Sequence, residues 1–383
     1  MADRENELIA RLASGVAQLD PAGWDRLGGG DPFLSHAFLA ALEESDSVGA
    51  GTGWSPAPLT IEDECGALLA AAPAYLKSHS QGEYVFDHAW ADAFERAGGQ
   101  YYPKLQIAVP FTPVPGQRLL GPLPQQLLAA AEAVAEQNGL SSAHVTFIDE
   151  AGAAECERRG WLLRHGIQYH WHNRGYREFD EFLGALTSRK RKAIRKERDA
   201  ARDGIAIAAL RGSEIGAAEW DAMWAFYQDT GSRKWGHPYL TRDFFDRIAE
   251  AMGDRLLLFL ARRGGVPIAG ALNLIGPDTL FGRYWGAVED VPFLHFELCY
   301  YQAIEWAIAH GLAAVQAGAQ GEHKLARGYE PMVCRSAHFI VDPGFRRAVE
   351  IFLQDERRAI AAEAQWERSA LPYRAPPLSR SSP

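Results

Sequence analysis

The stretch Pro32-Phe33-Leu34-Ser35-His36-Ala37-Phe38-Leu39-Ala40-Ala41-Leu42 decides the fold, because its pattern returns later in the chain. The second copy reads Pro238-Tyr239-Leu240-Thr241-Arg242-Asp243-Phe244-Phe245-Asp246-Arg247-Ile248. Both copies repeat apolar residues at the spacing of one helix face, and in the first copy Ser35 is a suitable N-cap. Trp24-Asp25 precedes the first copy and Trp220-Asp221 the second.

Further matches extend the repeat beyond this helix. The hairpin turn at Gly66 corresponds to that at Gly265, and Asn138-Gly139-Leu140 corresponds to His310-Gly311-Leu312. We therefore predict two copies of one mixed α/β unit, with a boundary near Gly175. A chance match of short apolar patterns is the alternative. The predicted parts are a lobe over 1–175 with an insertion at 77–118, a lobe over 176–343, a helix at 344–369 and a disordered tail at 370–383.

Composition limits the class of protein. The chain has 383 residues, 47% of them apolar, and a formal charge of −10. This excludes a mainly disordered, collagen-like or disulfide-stapled chain and argues against a general nucleic-acid coat protein. The four cysteines form no CxxC pair, which predicts reduced, partly buried thiols. No signal-like or membrane-length apolar stretch is evident, so we expect a cytoplasmic protein.

The predicted order of helix, helix, hairpin, strand, helix, strand in each copy resembles the GNAT acyltransferase fold. In the second copy, the run Ser188 to Lys196 resembles the basic helix of FemAB-like peptidyl and aminoacyl transferases, and Tyr284-Trp285-Gly286-Ala287 resembles their central strand. The runs Tyr75 to Asp92 and Tyr101 to Gln106 are similar to those of bacterial predicted N-acyltransferases related to peptidoglycan biosynthesis. The resemblance implies an α/β (α+β) fold of two tandem GNAT-like lobes, each a mixed, mostly antiparallel sheet flanked by helices.

By this resemblance the chain transfers an acyl or aminoacyl group from a CoA thioester or an aminoacyl-tRNA to a primary amine. The expected acceptor is a small-molecule or peptidyl amine. Backbone N–H groups of the strand Phe281 to Val288, which opens away from Ala313 to Ala317, then hold the developing oxyanion in a cleft between the lobes. No covalent nucleophile or tightly bound cofactor is expected. The alternative is a non-catalytic binding or sensor protein for an acyl carrier, a nucleotide-sugar or a tRNA.

The segment from Lys77 to Lys104 mixes charged and aromatic residues in a way that is costly unless the polar groups find partners. If the chain from Glu83 to Trp90 is extended, Glu83 and Asp87 share one side. We predict these two as the candidate catalytic bases. The predicted substrate-binding residues of the segment are His79, His88, Trp90, Tyr102 and Lys104. A hydrogen-bonded loop that only packs is the alternative.

Two basic segments are candidates for phosphate binding. In the loop after Ala317, Gly318 and Gly321 permit close backbone approach, and Lys324 and Arg327 supply charge. This loop departs from the usual GNAT pyrophosphate signature, Gln/Arg-x-x-Gly-x-Gly/Ala, so CoA is not the only donor that fits. In the helix, Arg191, Arg195, Arg198 and Arg202 fall on one face, which favours a tRNA or a pyrophosphate. Solvated charges are the alternative in both places.

Two weaker patterns complete the candidates. His170 and His172 would lie on one side of a strand as a metal pair, but no third ligand is evident, so no metal is predicted. Arg283 and Trp285, together with Trp235-Gly236-His237, are placed as cleft-lining residues, with ordinary core packing as the alternative.

Overall fold

The computed structural model describes residues 8–235, 238–318 and 321–374 of the chain. These residues fold into two compact units, and each unit is drawn from separate stretches of sequence. For the described residues, the first unit takes Met1–Ile167, Trp235–Leu256 and Val333–Ala362, and the second takes Gln168–Lys234, Leu257–Met332 and Glu363–Pro383. The predicted lobes are continuous in sequence, whereas these units are not.

The strands are β1 (Ile9–Leu12), β2 (Trp54–Pro56), β3 (Leu59–Glu62), β4 (Leu68–Ala72), β5 (Ala74–Lys77), β6 (Lys104–Ile107), β7 (Ser142–Ile148), β8 (Leu162–His172), β9 (Ile205–Arg211), β10 (Leu256–Arg263), β11 (Val266–Ile275), β12 (Thr279–Ala287), β13 (Ala314–Gln316) and β14 (Glu330–Ile340). The α-helices are α1 (Pro21–Leu27), α2 (His36–Glu44), α3 (His88–Arg96), α4 (Pro124–Gln137), α5 (Glu150–Arg158), α6 (Phe179–Ala185), α7 (Ser188–Arg202), α8 (Ala217–Trp235), α9 (Arg242–Met252), α10 (Leu294–Phe296), α11 (Gln302–Ala309) and α12 (Pro343–Ser369). Short 3-10 helices lie at Val16–Gln18, Gly212–Glu214, Gly253–Arg255 and Glu322–Arg327, and a π-helix at Glu297–Tyr301 joins α10 to α11.

The repeated sequence motif forms α2 and α9. The Ser35 hydroxyl accepts the N–H of Phe38, and the Thr241 hydroxyl accepts that of Phe244, so both helices are capped in the same way. Both helices belong to the first unit, where the rings of Phe38 and Phe244 meet edge to face at 5.6 Å. Burying these aromatic side chains against each other stabilises the fold by about 1.5–3 kcal/mol per side chain. This gain explains why residues 238–256 belong to the first unit although they lie in the second half of the sequence.

The two units repeat one pattern of strand pairing. In the first, the order is β2-β5-β6-β7-β14, with β5 antiparallel to β6, β6 parallel to β7, and β7 antiparallel to β14. In the second, the order is β8-β13-β12-β11-β10-β9, with the corresponding pairs again antiparallel, parallel and antiparallel. β14 belongs to the strand order of the first unit although it lies near the end of the sequence. β8 belongs to the strand order of the second unit although it lies before the middle of the sequence. The fold is therefore the expected mixed α/β duplication, with one strand exchanged between the halves.

The predicted insertion at 77–118 contains regular structure that the sequence concealed. Residues 88–96 form α3, so the extended chain expected from Glu83 to Trp90 is wrong beyond Asp87. β6 is buried along its whole length although it alternates polar and apolar residues. Its Gln106 donates to the Thr146 hydroxyl at 2.9 Å, which removes the cost of burying the amide nitrogen.

The C-terminal helix predicted at 344–369 is α12. The predicted tail differs in its first residues: Tyr373 bridges to Leu186, and its hydroxyl donates to the Gly328 carbonyl at 2.6 Å. The rest of that tail, 375–383, lies outside the described residues, as do Gly236 and His237.

Candidate active site

An open strand edge in the second unit is the central feature of the candidate site. The parallel pairing of β12 with β13 ends at Phe281 and Gln316. On its other edge β12 stays paired with β11 as far as Ala287. Within the described residues, no strand pairs with the part of β12 beyond Phe281 on the β13 side. We call this edge of β12 the open edge. The end of the pairing agrees with the expected separation of this strand from its neighbour, which stays a prediction.

In the first unit, the edge of β7 beyond its pairing with β6 is occupied by a later segment of the same chain. β6 pairs with β7 as far as Ile107 and Val145, but Gly116 then bridges Ile148 and donates to the Phe147 carbonyl at 3.0 Å. Arg118, 2% exposed, donates to the Thr146 carbonyl at 3.2 Å and so fixes the returning segment. The space beyond the parallel pair is thus filled by a returning segment in the first unit, whereas in the described part of the second unit no strand pairs with β12 there.

The open edge is followed by a cluster of aromatic rings. Arg283 and Trp285, both predicted cleft residues, are half-buried on β12. The ring of Trp285 lies 5.1 Å from that of His295, which lies 5.4 Å from Tyr300. The Tyr300 hydroxyl and His323 Nε2 are 2.9 Å apart. Sequence reasoning missed His295, Tyr300 and His323.

The structural signal that marks His295 and Tyr300 is a break in the helix that carries them. The sequence predicts one regular helix from Phe296, but Phe293 has φ of 64° and the next turns are α10 followed by a π-helix. A non-glycine residue in the left-handed region and a π-turn are both enriched at functional sites. The sequence Phe293-Leu294-His295-Phe296 gives no periodicity that would reveal this change.

The glycine loop brings its two predicted cations inward. Gly318 and Gly321 have φ of 78° and 119°. Lys324, 1% exposed, donates to the Gly318 carbonyl at 2.7 Å, and burial lowers the pKa of its ammonium to about 8. Arg327 lies 2.9 Å from Glu197 and donates to the His323 carbonyl at 2.8 Å. In this conformation both cations hold the loop together, and their role in phosphate binding stays a prediction.

The basic helix α7 divides into a paired half and an unpaired half. Arg198 lies 3.1 Å from the fully buried Glu297, and Arg202 lies 2.7 Å from it. Arg195 pairs with Asp180 at 3.0 Å on the surface. The expected face of four arginines is therefore partly used inside the fold. Within the part of the chain that the structure describes, the cations of this helix without an ion pair are Arg189, Lys190, Arg191, Lys192 and Lys196.

The first unit holds a buried charge cluster made by Glu83, Asp87 and Lys104. Lys104 Nζ lies 2.8 Å from Glu83 Oε2 and 2.6 Å from Asp87 Oδ2, and it donates to the Ser80 hydroxyl at 2.8 Å. These contacts use all three protons of the ammonium. Lys104 has none left for an acceptor amine, so its predicted role in substrate binding does not fit this conformation.

The two carboxyls of the cluster have opposite pKa shifts. Burial raises the pKa of Glu83 to about 7 against the opposing pull of Lys104. Burial acts the same way on Asp87, but the adjacent Lys104 outweighs it and holds the pKa of Asp87 well below its usual range. Tyr101 also donates to Asp87 Oδ2 at 2.7 Å. Of the two candidate bases, Glu83 is thus the one suited to accept a proton near neutral pH.

The other residues predicted in this segment are dispersed. Tyr102 reaches the cluster through Ser80, at 2.8 Å. His79 instead contacts the Thr52 carbonyl at 3.1 Å. His88 is exposed at the start of α3, and Trp90 packs against the ring of His338 at 4.9 Å.

His170 and His172 have rings 6.4 Å apart. Burial, with His172 and Lys324 nearby, lowers the pKa of His170 to about 3. Among the described residues, no group of three or more His, Cys, Asp or Glu side chains is arranged to hold a metal ion.

The repeated pairing order and the open edge of β12 define a tandem GNAT-like fold. A family model described as FemAB-like, peptidoglycan biosynthesis/recognition, matches residues 15–375. The chain belongs to this FemAB-like family. No curated protein matches it.

Solved structures of similar fold share little sequence with the chain. FemX is 12% identical with a TM-score of 0.52, over 90% of this chain and 100% of that one. L-PGS from Bacillus licheniformis is 11% identical with a TM-score of 0.50, over 85% and 97%. A conserved protein of unknown function from Bacteroides thetaiotaomicron is 10% identical with a TM-score of 0.52, over 87% and 100%. Over its described residues, the chain has no helix long and apolar enough to cross a membrane.

Proposed function

We propose that this protein is an N-acyltransferase that transfers an acyl or aminoacyl group to a primary amine at the open edge of β12. The observation that carries the proposal is the end of the β12–β13 pairing at Phe281 and Gln316. In this proposal, backbone N–H groups of β12 next to that point donate to the acyl oxygen on which charge develops. Membership of a family described by peptidoglycan biosynthesis/recognition favours a peptidyl amine as acceptor.

The reaction needs no covalent intermediate. The amine nitrogen attacks the acyl carbonyl carbon, and the β12 N–H groups stabilise the resulting oxyanion. The bond from this carbon to the carrier oxygen or sulfur then breaks, and the carrier leaves with a proton. A base removes the proton that the amine loses. Glu83 stays the predicted candidate for this base, because burial raises its pKa to about 7.

The donor is a CoA thioester or an aminoacyl-tRNA. The unpaired cations of α7 support an anionic carrier, since Arg189, Lys192 and Lys196 are exposed and fall at helical spacing on one side. A cytoplasmic location fits both donors and is part of the proposal.

The test is a transfer assay with labelled acyl-CoA or aminoacyl-tRNA and a series of primary amines, read by mass spectrometry. We expect an acylated amine with wild-type protein and strongly reduced product with Gly282→Val. A Cβ at Gly282 would lie 3.3 Å from Asn273 Oδ1 and 3.6 Å from the α-carbon of Ala317, so the larger side chain crowds the open edge. Ala206→Val, at an exposed position on β9, is the matched control.

Donor binding without product would reject the enzyme and favour the sensor alternative. Thermal-shift titration with CoA, acyl-CoA and aminoacyl-tRNA supplies the binding measurement, since a ligand of the native state raises the melting temperature. Equal product from Gly282→Val and wild type would instead remove the open edge from the mechanism.

A further inference from the structure

A group of aromatic side chains beside the open edge has no role in the transfer step itself. We call Trp285, His295, Phe296 and His323 the ring platform. Phe296 and His323 have ring centroids 5.4 Å apart, and His295 lies 5.5 Å from Phe296. Trp285, His295 and Phe296 are half-buried and His323 is exposed. Core packing would bury such rings completely, whereas each of these side chains stays partly exposed.

Ion pairs and a cation–π contact fix the position of the ring platform. Glu297, next to Phe296, is fully buried and bound by Arg198 and Arg202. The guanidinium carbon of Arg327 lies 3.5 Å from the centre of the Phe296 ring. Rings fixed by buried ion pairs lose little conformational entropy when a ligand stacks on them.

The rim of the platform is basic. Helix α7 contacts both α10 and the 3-10 helix at Glu322–Arg327, through pairs such as Glu197–Arg327 at 2.9 Å. Lys190 lies on the same side of α7 as Ile194 and Glu197, two turns toward the N-terminus, about 10 Å away along the helix. Lys190 and its neighbour Arg191 have no ion pair among the described residues. Half-exposed rings beside unpaired cations are the combination that binds nucleotides, with stacking for the base and charge for the phosphate.

We infer that the ring platform stacks the adenine base of the acyl donor, while the unpaired cations of α7 bind its phosphates. This inference rests on the proposed function and names the part of the donor that the second unit recognises. Adenine is common to CoA and to the terminal nucleotide of tRNA. In aminoacyl-tRNA the ester lies on the ribose of that adenosine, whereas in CoA a long arm separates adenine from the thioester.

The test measures equilibrium binding of AMP and CMP to the full chain by calorimetry. We expect AMP to bind more tightly than CMP, and Trp285→Ala to weaken AMP binding by roughly 5- to 150-fold, the range of one base–aromatic stack. Trp285→Phe should keep most of the affinity. Trp366→Ala, at a tryptophan that is 69% exposed on α12, is the matched control and should leave AMP binding unchanged. Equal binding of AMP and CMP, or no effect of Trp285→Ala, overturns the inference.

Two further arms identify the donor. Coenzyme A is compared with a short RNA hairpin ending in CCA and with the same hairpin lacking its terminal adenosine. A loss of RNA affinity on removing the adenosine supports adenine stacking on the ring platform and identifies tRNA as the donor. A loss of CoA affinity in Trp285→Ala supports the same stacking and identifies CoA as the donor. Insensitivity in both arms overturns it. Because these readouts require no transfer, adenine-dependent binding without any acylated product would refute the proposed function alone.

Discussion

Replacing Asp87 with Asn tests the buried charge cluster of the first unit. Asp87 is 2% exposed and accepts from Lys104 at 2.6 Å and from Tyr101 at 2.7 Å. Removing one partner of a buried ion pair costs about 3–5 kcal/mol, because the other charge stays buried. Loss of the Asp87 charge also lets Glu83 ionise beside Lys104, so we expect the lower end, about 3 kcal/mol.

Glu83→Gln is the matched substitution, since it makes the same chemical change at the neighbouring carboxyl. With its pKa near 7, Glu83 is protonated at pH 5, and a glutamine there resembles the native state. We expect a cost below about 1 kcal/mol at pH 5.

The assay is urea unfolding followed by circular dichroism, with both variants and wild type at pH 5 and pH 7. The assignment of the two protonation states would be refuted if Asp87→Asn cost no more than Glu83→Gln at pH 5.

The pKa of Glu83 is raised from 4.5 to about 7 in the folded state, so the wild-type protein should lose about 3 kcal/mol of unfolding free energy between pH 4.5 and 7. Glu83→Gln should reduce this loss when unfolding is measured across the pH range. An unchanged slope in the variant would contradict the assignment. If Glu83 is also the base, Glu83→Gln should abolish transfer while donor binding persists in calorimetry, whereas a purely structural role predicts transfer in proportion to the folded fraction. Arg198→Ala should destabilise the protein by about 3 kcal/mol, because the buried carboxylate of Glu297 loses one of its ion-pair partners. Arg189→Ala, at an exposed position on the same helix, should cost less than about 0.5 kcal/mol. Equal melting temperatures of the two variants would argue against a paired and an unpaired half of α7. A thiol reagent should modify the exposed Cys65 first and Cys156 last, since burial raises the pKa of Cys156 to about 12. Rapid modification of Cys156 in the native protein would be inconsistent with the fold.

The sequence by itself determined the duplication and the identity of the repeated helix. The match of Pro32–Leu42 with Pro238–Ile248 depends only on local spacing and capping, and α2 and α9 begin where it indicates. The fold class was likewise predictable, because it follows from the order of elements and a resemblance carried by short motifs. The family resemblance is confirmed over residues 15–375.

Only the tertiary structure decided which of these motifs are free to act. Lys104, Lys324 and Arg327 look like ligand-binding cations in sequence, yet each binds internal carbonyls or carboxylates once the chain folds. The same holds for Arg198 on α7, while Arg189 and Lys192 on the same helix stay unpaired. Burial sets the protonation of Glu83, and the exchange of β8 and β14 sets which residues share a unit. These outcomes depend on partners far apart in the chain, and local sequence carries no record of such contacts.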